Sequence, residues 1–372
     1  MSAADIRYLR LALGLGRRGL GRTWPNPAVG CVIVKDGRIV GRGNTGLGGR
    51  PHAERVALDQ AGSAARGATA YVSLEPCAHH GRTPPCADAI IAAGIQRVVV
   101  AIGDPDPRVS GRGFAALRAA GIKVEIGSCA TEARYDLGGF LSRMTRGRPE
   151  VTLKLATSFD GRIATASGHS QWITGASARR WVHAARSRHD AVMVGAGTAR
   201  ADDPSLTVRD LGVEHQPIRV VVSRRLDVPL MSTLARTASQ VPVWMCHGPD
   251  ADANLIEAWR GLGAEMVPCG LSGRQLDMTS VLEELGKRGL TRIFCEGGSA
   301  LAASLLADGL VDRLAGITAG FAMGAEGLPG IGALGLDRLD GAQRFDLVEQ
   351  RALGSDVLHV WIARSSTGVL ES

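Results

Sequence analysis

Residues 51–54 read Pro-His-Ala-Glu and residues 74–86 read LEPCAHHGRTPPC, a short span that holds His52, Glu54, Cys77 and Cys86. One histidine and two cysteines are ligands of the kind that holds zinc while leaving a fourth tetrahedral position for water. Zinc held this way brings water to a nucleophilic state near neutral pH, able to attack an aromatic carbon bearing an amino group. Glu54 stands two residues after His52 at an expected helix start, where its carboxylate reaches that water without ligating the metal and serves as proton carrier. A structural zinc site ordinarily takes four protein ligands in paired spacing, so three ligands beside a glutamate favour catalysis. Buried free thiols and a satisfied histidine are the bland alternative.

Outward from this span, strands and helices alternate. Asp5 to about Arg18 spaces Ile6, Leu9 and Leu13 at helical intervals behind an aspartate cap. AVGCVIV and RIVGRG flank Lys35-Asp36-Gly37, whose Asp-Gly pair predicts a tight hairpin. A helix from His52, a strand over 68–74, a helix over 86–93 ended by Gly94, the strand RVVVAI, a further helix and the strand KVEI follow. The pattern predicts a three-layer α/β domain over residues 1–146. TRGRPE at 145–150 is polar, contains Gly and Pro, and reads as the boundary. Beyond it, VTLKLA, DAVMVG, IRVVVS, VPVWMC and RIFCE read as buried strands, with helices near 175–188, 251–262, 277–288 and 298–308. A second α/β domain over 150–364 is expected.

The 372 residues exceed one typical domain, and 45% hydrophobic with 21% charged residues is ordinary globular usage. The N-terminal stretch is charged throughout and resembles neither a signal peptide nor a membrane span, so a cytoplasmic protein is expected. Seven cysteines, an odd number without an export signal, read as thiols and ligands rather than a disulfide framework. The formal charge of +7 is spread along the chain, and aromatics are only 4%, which disfavours a nucleic-acid groove with stacking platforms. An inert scaffold would have lost a ligand or Glu54, and all four are present.

His-x-Glu with Pro-Cys is the signature of the zinc nucleobase deaminases, which the first half resembles. Their usual spacing leaves two residues between the cysteines; here eight separate Cys77 from Cys86. That insertion, with Trp24-Pro25-Asn26-Pro27, VGCVIVKDG, GATAYVSLEPC, KLATSFDGRIAT, SGHSQWITG, GTARADDPSLTVR and EGGSALAASLL, resembles the bifunctional riboflavin-biosynthesis deaminase-reductases of the RibD type, from Tyr8 to about Leu310. The resemblance implies a cytidine-deaminase-like domain followed by a dihydrofolate-reductase-like domain. The first deaminates a diamino-hydroxy-pyrimidine carrying a phosphoribosylamino group; the second uses NADPH to reduce the ribosyl group of the resulting aminouracil to ribityl. It implies that His52, Cys77 and Cys86 hold zinc, that Glu54 shuttles protons, and that Asn26 helps hold the substrate. Phosphorylated pyrimidines and further copies of the chain are the expected partners, with no nucleic acid and no membrane.

For the second half the resemblance places Ala156, Trp172, Thr198, Asp202, Ser223 and the Gly298 turn at NADPH, and Lys154, Ser170, Arg186, Leu206, Arg209 and Glu296 at the substrate. Glu296-Gly297-Gly298 opens a helix after a strand, where backbone N–H groups meet a pyrophosphate; by itself such a turn is equally often only a tight turn. No G-x-G-x-x-G follows a first strand, which argues against the ordinary dinucleotide-binding unit. Arg186 and Arg209 offer forks suited to phosphate, with a surface ion pair as the alternative. Trp172 reads as a cofactor contact or as core, and Lys154 as a group on the ribosyl chain or a snorkelling surface lysine. Arg224 and Arg225 either neutralise a 2′-phosphate or are simply exposed. His79 and His80 read as substrate contacts or loop surface. Thr45 and His169 depart from the family pattern, which has a histidine and an acidic residue there.

Overall fold

The computed structural model describes residues 2–79 and 84–364. His80 lies outside the described residues. The chain divides into two compact units, one ending at Gly147 and the other beginning at Arg148.

In the first unit α1 (Ala3–Gly16) leads to β1 (Gly30–Lys35), β2 (Arg38–Asn44), α2 (Ala53–Ala61), β3 (Thr69–Val72) and α3 (Cys86–Ala92). Then come β4 (Arg97–Val100), α4 (Arg112–Ala119), β5 (Lys123–Ile126) and α5 (Ala130–Arg146). The sheet order is β2-β1-β3-β4-β5, with β1 antiparallel to both neighbours and β3 to β5 parallel. The Asp36-Gly37 hairpin forms as expected, both residues having positive φ. Helix α1 packs on β1 and β3 beside α5, while α2 packs on β2 and β1 beside α3. These are the three layers.

Two expectations need correction. Asp5 is not the cap of α1: Ser2 is, its hydroxyl accepting the Asp5 N–H while the Asp5 carboxylate accepts the Ser2 N–H. TRGRPE is not an open linker, because α5 runs to Arg146, Gly147 ends it at φ 70, and the next strand starts at Glu150. Thr145 and Arg146 look linker-like because they are the exposed end of a helix whose opposite face buries Ala133, Leu137 and Phe140.

The second unit runs β6 (Glu150–Ser158), β7 (Arg162–Ala164), α6 (Ala176–Arg186), β8 (Ala191–Gly195), α7 (Ala196–Asp202), β9 (Ile218–Val222) and α8 (Thr233–Arg236). Next are β10 (Val243–His247), α9 (Ala253–Gly261), β11 (Glu265–Pro268), the ribbon of β12 (Leu271–Ser272) and β13 (Gln275–Leu276), and α10 (Met278–Lys287). The chain continues through β14 (Arg292–Cys295), α11 (Ser299–Ala307), β15 (Arg313–Ala319), β16 (Leu328–Pro329), β17 (Phe345–Leu353) and β18 (Asp356–Ala363). Among the described residues one sheet has the order β11-β10-β9-β8-β14-β6-β15-β18-β17, parallel up to β15 and antiparallel beyond it. Strands β15, β17 and β18 follow the helix near 298–308, the last element that the sequence pattern predicts. In β17 most side chains are exposed, so its polar-rich sequence lacks the apolar run of the buried strands. No helix among the described residues is long and apolar enough to cross a membrane.

The carboxylate of Asp5, only 3% exposed, fastens α1 to the sheet. It accepts two bonds from Arg97 on β4 at 2.7 and 3.0 Å and one from the Tyr71 hydroxyl on β3 at 2.9 Å, while Arg97 also pairs with Glu125 on β5. Arg97 holds the Asp5 carboxyl well below the usual carboxylate range. A depressed folded pKa contributes stability that is present above the unfolded value near 4 and lost as pH falls through the folded one. Asp5→Asn is therefore expected to cost the first unit about 3 kcal/mol at neutral pH, as for a broken buried ion pair. Denaturant curves should show the gap to wild type closing progressively below about pH 4.

Candidate functional site

Helix α2 lies close enough to β2 that a Cβ at Gly41 would sit 2.1 Å from the Ala57 carbonyl oxygen, and one at Gly43 2.4 Å from that of Ala53. Only glycine allows this approach. It places the start of α2 against the sheet, with His52 at the N-cap position and Glu54 in the first turn. Cys86 opens α3, and Cys77 lies in the segment leading to it. The Nδ1 of His52 is 3.3 Å from the Cys86 Sγ and 3.6 Å from the Cys77 Sγ, and the three ligand atoms lie within 4.8 Å of one another. Tetrahedral zinc, with nitrogen at about 2.05 Å and sulfur at about 2.3 Å, sets those atoms about 3.6 Å apart. The donor set fits zinc in both chemistry and spacing.

Electrostatics around the triplet favour thiolate at Cys77 and a readily exchanged proton on Glu54, while the hydrogen bond to Cys77, with burial, pushes the Cys86 thiol up. A hydrogen bond from the Cys86 thiol, then contacts from His52 and the Cys86 N–H, bring the Cys77 thiol down to about 4. Burial, reinforced by Cys77, pushes the Glu54 carboxyl up to about 7. A carboxyl titrating there both accepts and returns a proton at neutral pH.

Glu75, two residues before Cys77, has a role that the sequence does not announce. Its buried carboxylate accepts the N–H groups of Asp104, Gly111, Gly113 and Phe114 at 2.9 to 3.2 Å, tying the loop before α4 to the residues that precede Cys77. Its adjacency to a ligand was the available signal. Asn26 is half-buried against Gly49, just ahead of His52. The Thr45 hydroxyl is buried and accepts the Val29 N–H at 3.0 Å, so this residue is committed to the framework. His79 is half-buried, and its Nδ1 has no partner among the described residues.

In the second unit a cavity of about 1600 Å3 lies at the carboxyl edge of the parallel strands, larger than the roughly 300–1,000 Å3 of a single small-ligand site. Neighbouring strands β8 and β14 deliver Thr198 and Glu296 to it, β6 delivers Lys154 and Ala156, and β9 leads to Ser223. Trp172, Asp202, Gly298, Ser170, Arg186, Leu206 and Arg209 line the same cavity. Every residue expected at cofactor or substrate in this half is brought together. Trp172 is 68% exposed with the Arg179 guanidinium over its ring, so it is not core. Lys154 faces the cavity rather than the outer surface, its ammonium pKa lowered by burial and raised in turn by Glu296. Gly297 and Gly298 have φ of 82 and 76, and a Cβ at Gly298 would meet the Thr198 hydroxyl at 2.8 Å. Side chains are excluded from this turn at the start of α11.

Arg186 is more committed than the sequence suggested. Its Nε donates to Glu296 and its Nη1 to the Thr207 carbonyl at 2.8 Å, and its side chain is 11% exposed. Burial opposes the charge on Glu296, but Arg186 and Lys154 outweigh it and keep the carboxyl low. Arg209 remains exposed at the rim. Arg224 is held by Asp250 and the Arg274 carbonyl, while Arg225 is exposed at the same end. His169 sits outside the cavity lining in a turn closed on Thr165. His183, one turn before Arg186 on α6, also lines the cavity and was missed. Its i, i+3 spacing to Arg186 was the legible clue.

Comparison with known proteins follows the same division. Residues 2–102 match the cytidine and deoxycytidylate deaminase zinc-binding region, and residues 149–359 match the RibD C-terminal domain. Fold and sites thus define a bifunctional enzyme, a zinc-dependent deaminase joined to an NADPH-dependent reductase. The chain is 42% identical over 369 residues to riboflavin biosynthesis protein RibD of Escherichia coli strain K12, covering 96% of this chain and 99% of that one. An Acinetobacter baumannii RibD structure superposes with a TM-score of 0.86 at 38% identity, covering 97% of this chain and 99% of that chain. A diaminohydroxyphosphoribosylaminopyrimidine deaminase/5-amino-6-(5-phosphoribosylamino)uracil reductase from Thermotoga maritima does so with a TM-score of 0.85 at 34% identity, with the same coverage. The chain belongs to the RibD family of riboflavin biosynthesis enzymes.

The ligand geometry predicts one zinc per chain. Cys86→Ala should lose nearly all of it in metal analysis of the purified protein, because two remaining ligands do not close the site. Unchanged zinc would assign the third position to another residue.

Proposed function

We propose that residues 1–146 deaminate 2,5-diamino-6-hydroxy-4-(5-phosphoribosylamino)pyrimidine and that residues 150–364 reduce the product, 5-amino-6-(5-phosphoribosylamino)uracil, to its ribityl form. The observation that carries the first assignment is the His52, Cys77, Cys86 triplet beside a buried glutamate. His52, Cys77 and Cys86 would hold the metal, which supplies water activated for attack on the amino-bearing ring carbon. Glu54 takes one proton from the water and passes it to the ring nitrogen, then takes the second proton of the same oxygen and gives it to the departing amino group, which leaves as ammonia, and its carboxyl near 7 suits both directions. Asn26 orients the pyrimidine.

For reduction, Ala156, Trp172, Thr198, Asp202, Ser223 and Gly298 would hold NADPH, which supplies hydride to C1′ of the opened ribosylamine. Ser170, Leu206 and Arg209 position the phosphorylated chain, Arg209 offering its guanidinium to the phosphate. Lys154 and Glu296 stand side by side at the cavity wall, with Arg186 orienting the carboxylate. The size of the cavity supports room for cofactor and substrate together. The same reading makes this a cytoplasmic homo-oligomer without nucleic-acid partners. Edge strand β17, with Leu347 and Val348 each 47% exposed, supports self-association.

Separate sites predict separable activities. Glu54→Gln should lower deamination by at least ~100-fold while reduction of supplied aminouracil persists. Arg209→Ala should do the reverse. Loss of reduction in zinc-loaded Glu54→Gln protein would favour a composite site.

Cofactor choice gives a further test. With Arg224 and Arg225 at the Ser223 end of the cavity, NADPH should be preferred over NADH, and the double alanine variant should lose roughly tenfold or more of that kcat/KM preference, most visibly at low salt. Equal kcat/KM for the two cofactors in wild type would refute the assignment.

A further inference from the structure

The cavity wall that carries Leu206 and Arg209 is a loop without regular structure, between α7 and β9, and its backbone is unusual. Asp203, Leu206 and Asp210 all have positive φ, at 38, 55 and 60. None is glycine, and each such conformation costs on the order of 1 kcal/mol, so something outside the loop must hold it. Side chains do so. Arg186 donates to the Thr207 carbonyl, His183 Nδ1 accepts the Arg209 N–H at 3.2 Å, and the buried Arg219 donates to the Ser205 carbonyl at 3.4 Å.

A further attachment comes from within the loop, from Gln216 close to its junction with β9. Its Oε1 accepts the Val208 N–H at 2.7 Å and its Nε2 donates to the Val208 carbonyl at 3.1 Å. One carboxamide therefore satisfies both backbone groups of a single residue, the pairing that a neighbouring strand would provide. Val208 is 5% exposed, so these groups have little water to fall back on. Gln216 does not line the cavity, whereas Leu206 and Arg209 on either side of Val208 do.

We propose that Gln216 is a positioning residue for reduction, setting the placement of Leu206 and Arg209 against the phosphorylated substrate by clamping the Val208 peptide groups. The proposal rests on the reading that this wall takes the phosphorylated substrate. Val208, on which the clamp acts, lies between Leu206 and Arg209, whereas the proposed NADPH residues Ala156, Trp172, Thr198, Asp202, Ser223 and Gly298 stand outside this loop, so its loss falls first on the phosphorylated substrate. Gln216 belongs to the end of the same loop and is followed by Pro217 and then β9, so its carboxamide is borne close to a sheet strand.

The test uses full-length protein with Gln216→Met, which keeps side-chain length and removes the two hydrogen bonds to Val208 together with the longer one to the Val213 carbonyl, and Gln216→Ala. Both variants should raise KM for the phosphorylated aminouracil roughly tenfold or more, as expected for a displaced binding group, while KM for NADPH and deamination stay near wild type. Amide hydrogen exchange of a peptide spanning 203–210 should accelerate in both, with no substrate present. Unchanged exchange, or faster exchange with an unchanged substrate KM, overturns the proposal. Wild type that fails to turn over the phosphorylated aminouracil with NADPH would instead refute the substrate reading, and the exchange measurement would still decide whether the clamp exists.

Discussion

Inside a sheet covered on both faces backbone groups are paired except along its edge strands and where its strands end, and both units place their polar chemistry at strand ends. In the first, β3 runs out into Glu75, Pro76 and Cys77; in the second, β14 runs out into Glu296 and the Gly297-Gly298 turn. The interiors behind these ends are dry: Val72, Val98 and Val99 in one, Val192, Val221 and Phe294 in the other, are all fully buried. Helix starts face the same edges. His52 and Cys86 stand at the beginnings of α2 and α3, and Gly298 at the beginning of α11, and helix-start N–H groups such as that of Cys86, which donates to the Cys77 sulfur, favour a thiolate or phosphate beside them.

Charges near the two sites divide by what surrounds them. Asp5 and Glu75 are buried carboxylates surrounded by donors, from Arg97, Tyr71 and Ser2 in one case and from four backbone N–H groups in the other, and both serve to fix geometry. Glu54 is equally buried, but burial outweighs the histidine beside it and its carboxyl rises toward neutrality. The same solvent exclusion thus produces an anchor where hydrogen bonds are plentiful and a proton carrier where they are few. In the second unit Glu296 falls between these cases, buried yet kept ionised by Arg186 and Lys154. That arrangement explains why Arg186, a phosphate candidate by residue type, is occupied by a carboxylate and a loop carbonyl.

The sequence by itself determined the chemistry. His52, Glu54, Cys77 and Cys86 are recognisable because each is a residue type that zinc or proton transfer demands, and the two α/β units are recognisable because buried parallel strands must be apolar runs between helices. It also determined the Asp36-Gly37 hairpin, since a two-residue turn with positive φ requires such residues. Only the tertiary structure decided what a neighbour distant in sequence supplies. Strands β15, β17 and β18 exist through pairing with β6 and with each other, and a mostly exposed edge strand carries no apolar run to announce it. Arg186 was legible as a guanidinium, but not as one already bound to Glu296, 110 residues away. Thr45 and Trp172 likewise revealed their places only when Val29 and Arg179 came beside them. The physical reason is common to all of these. Residue type sets what a side chain can do, while burial and partners, which come from long-range packing, set what it does.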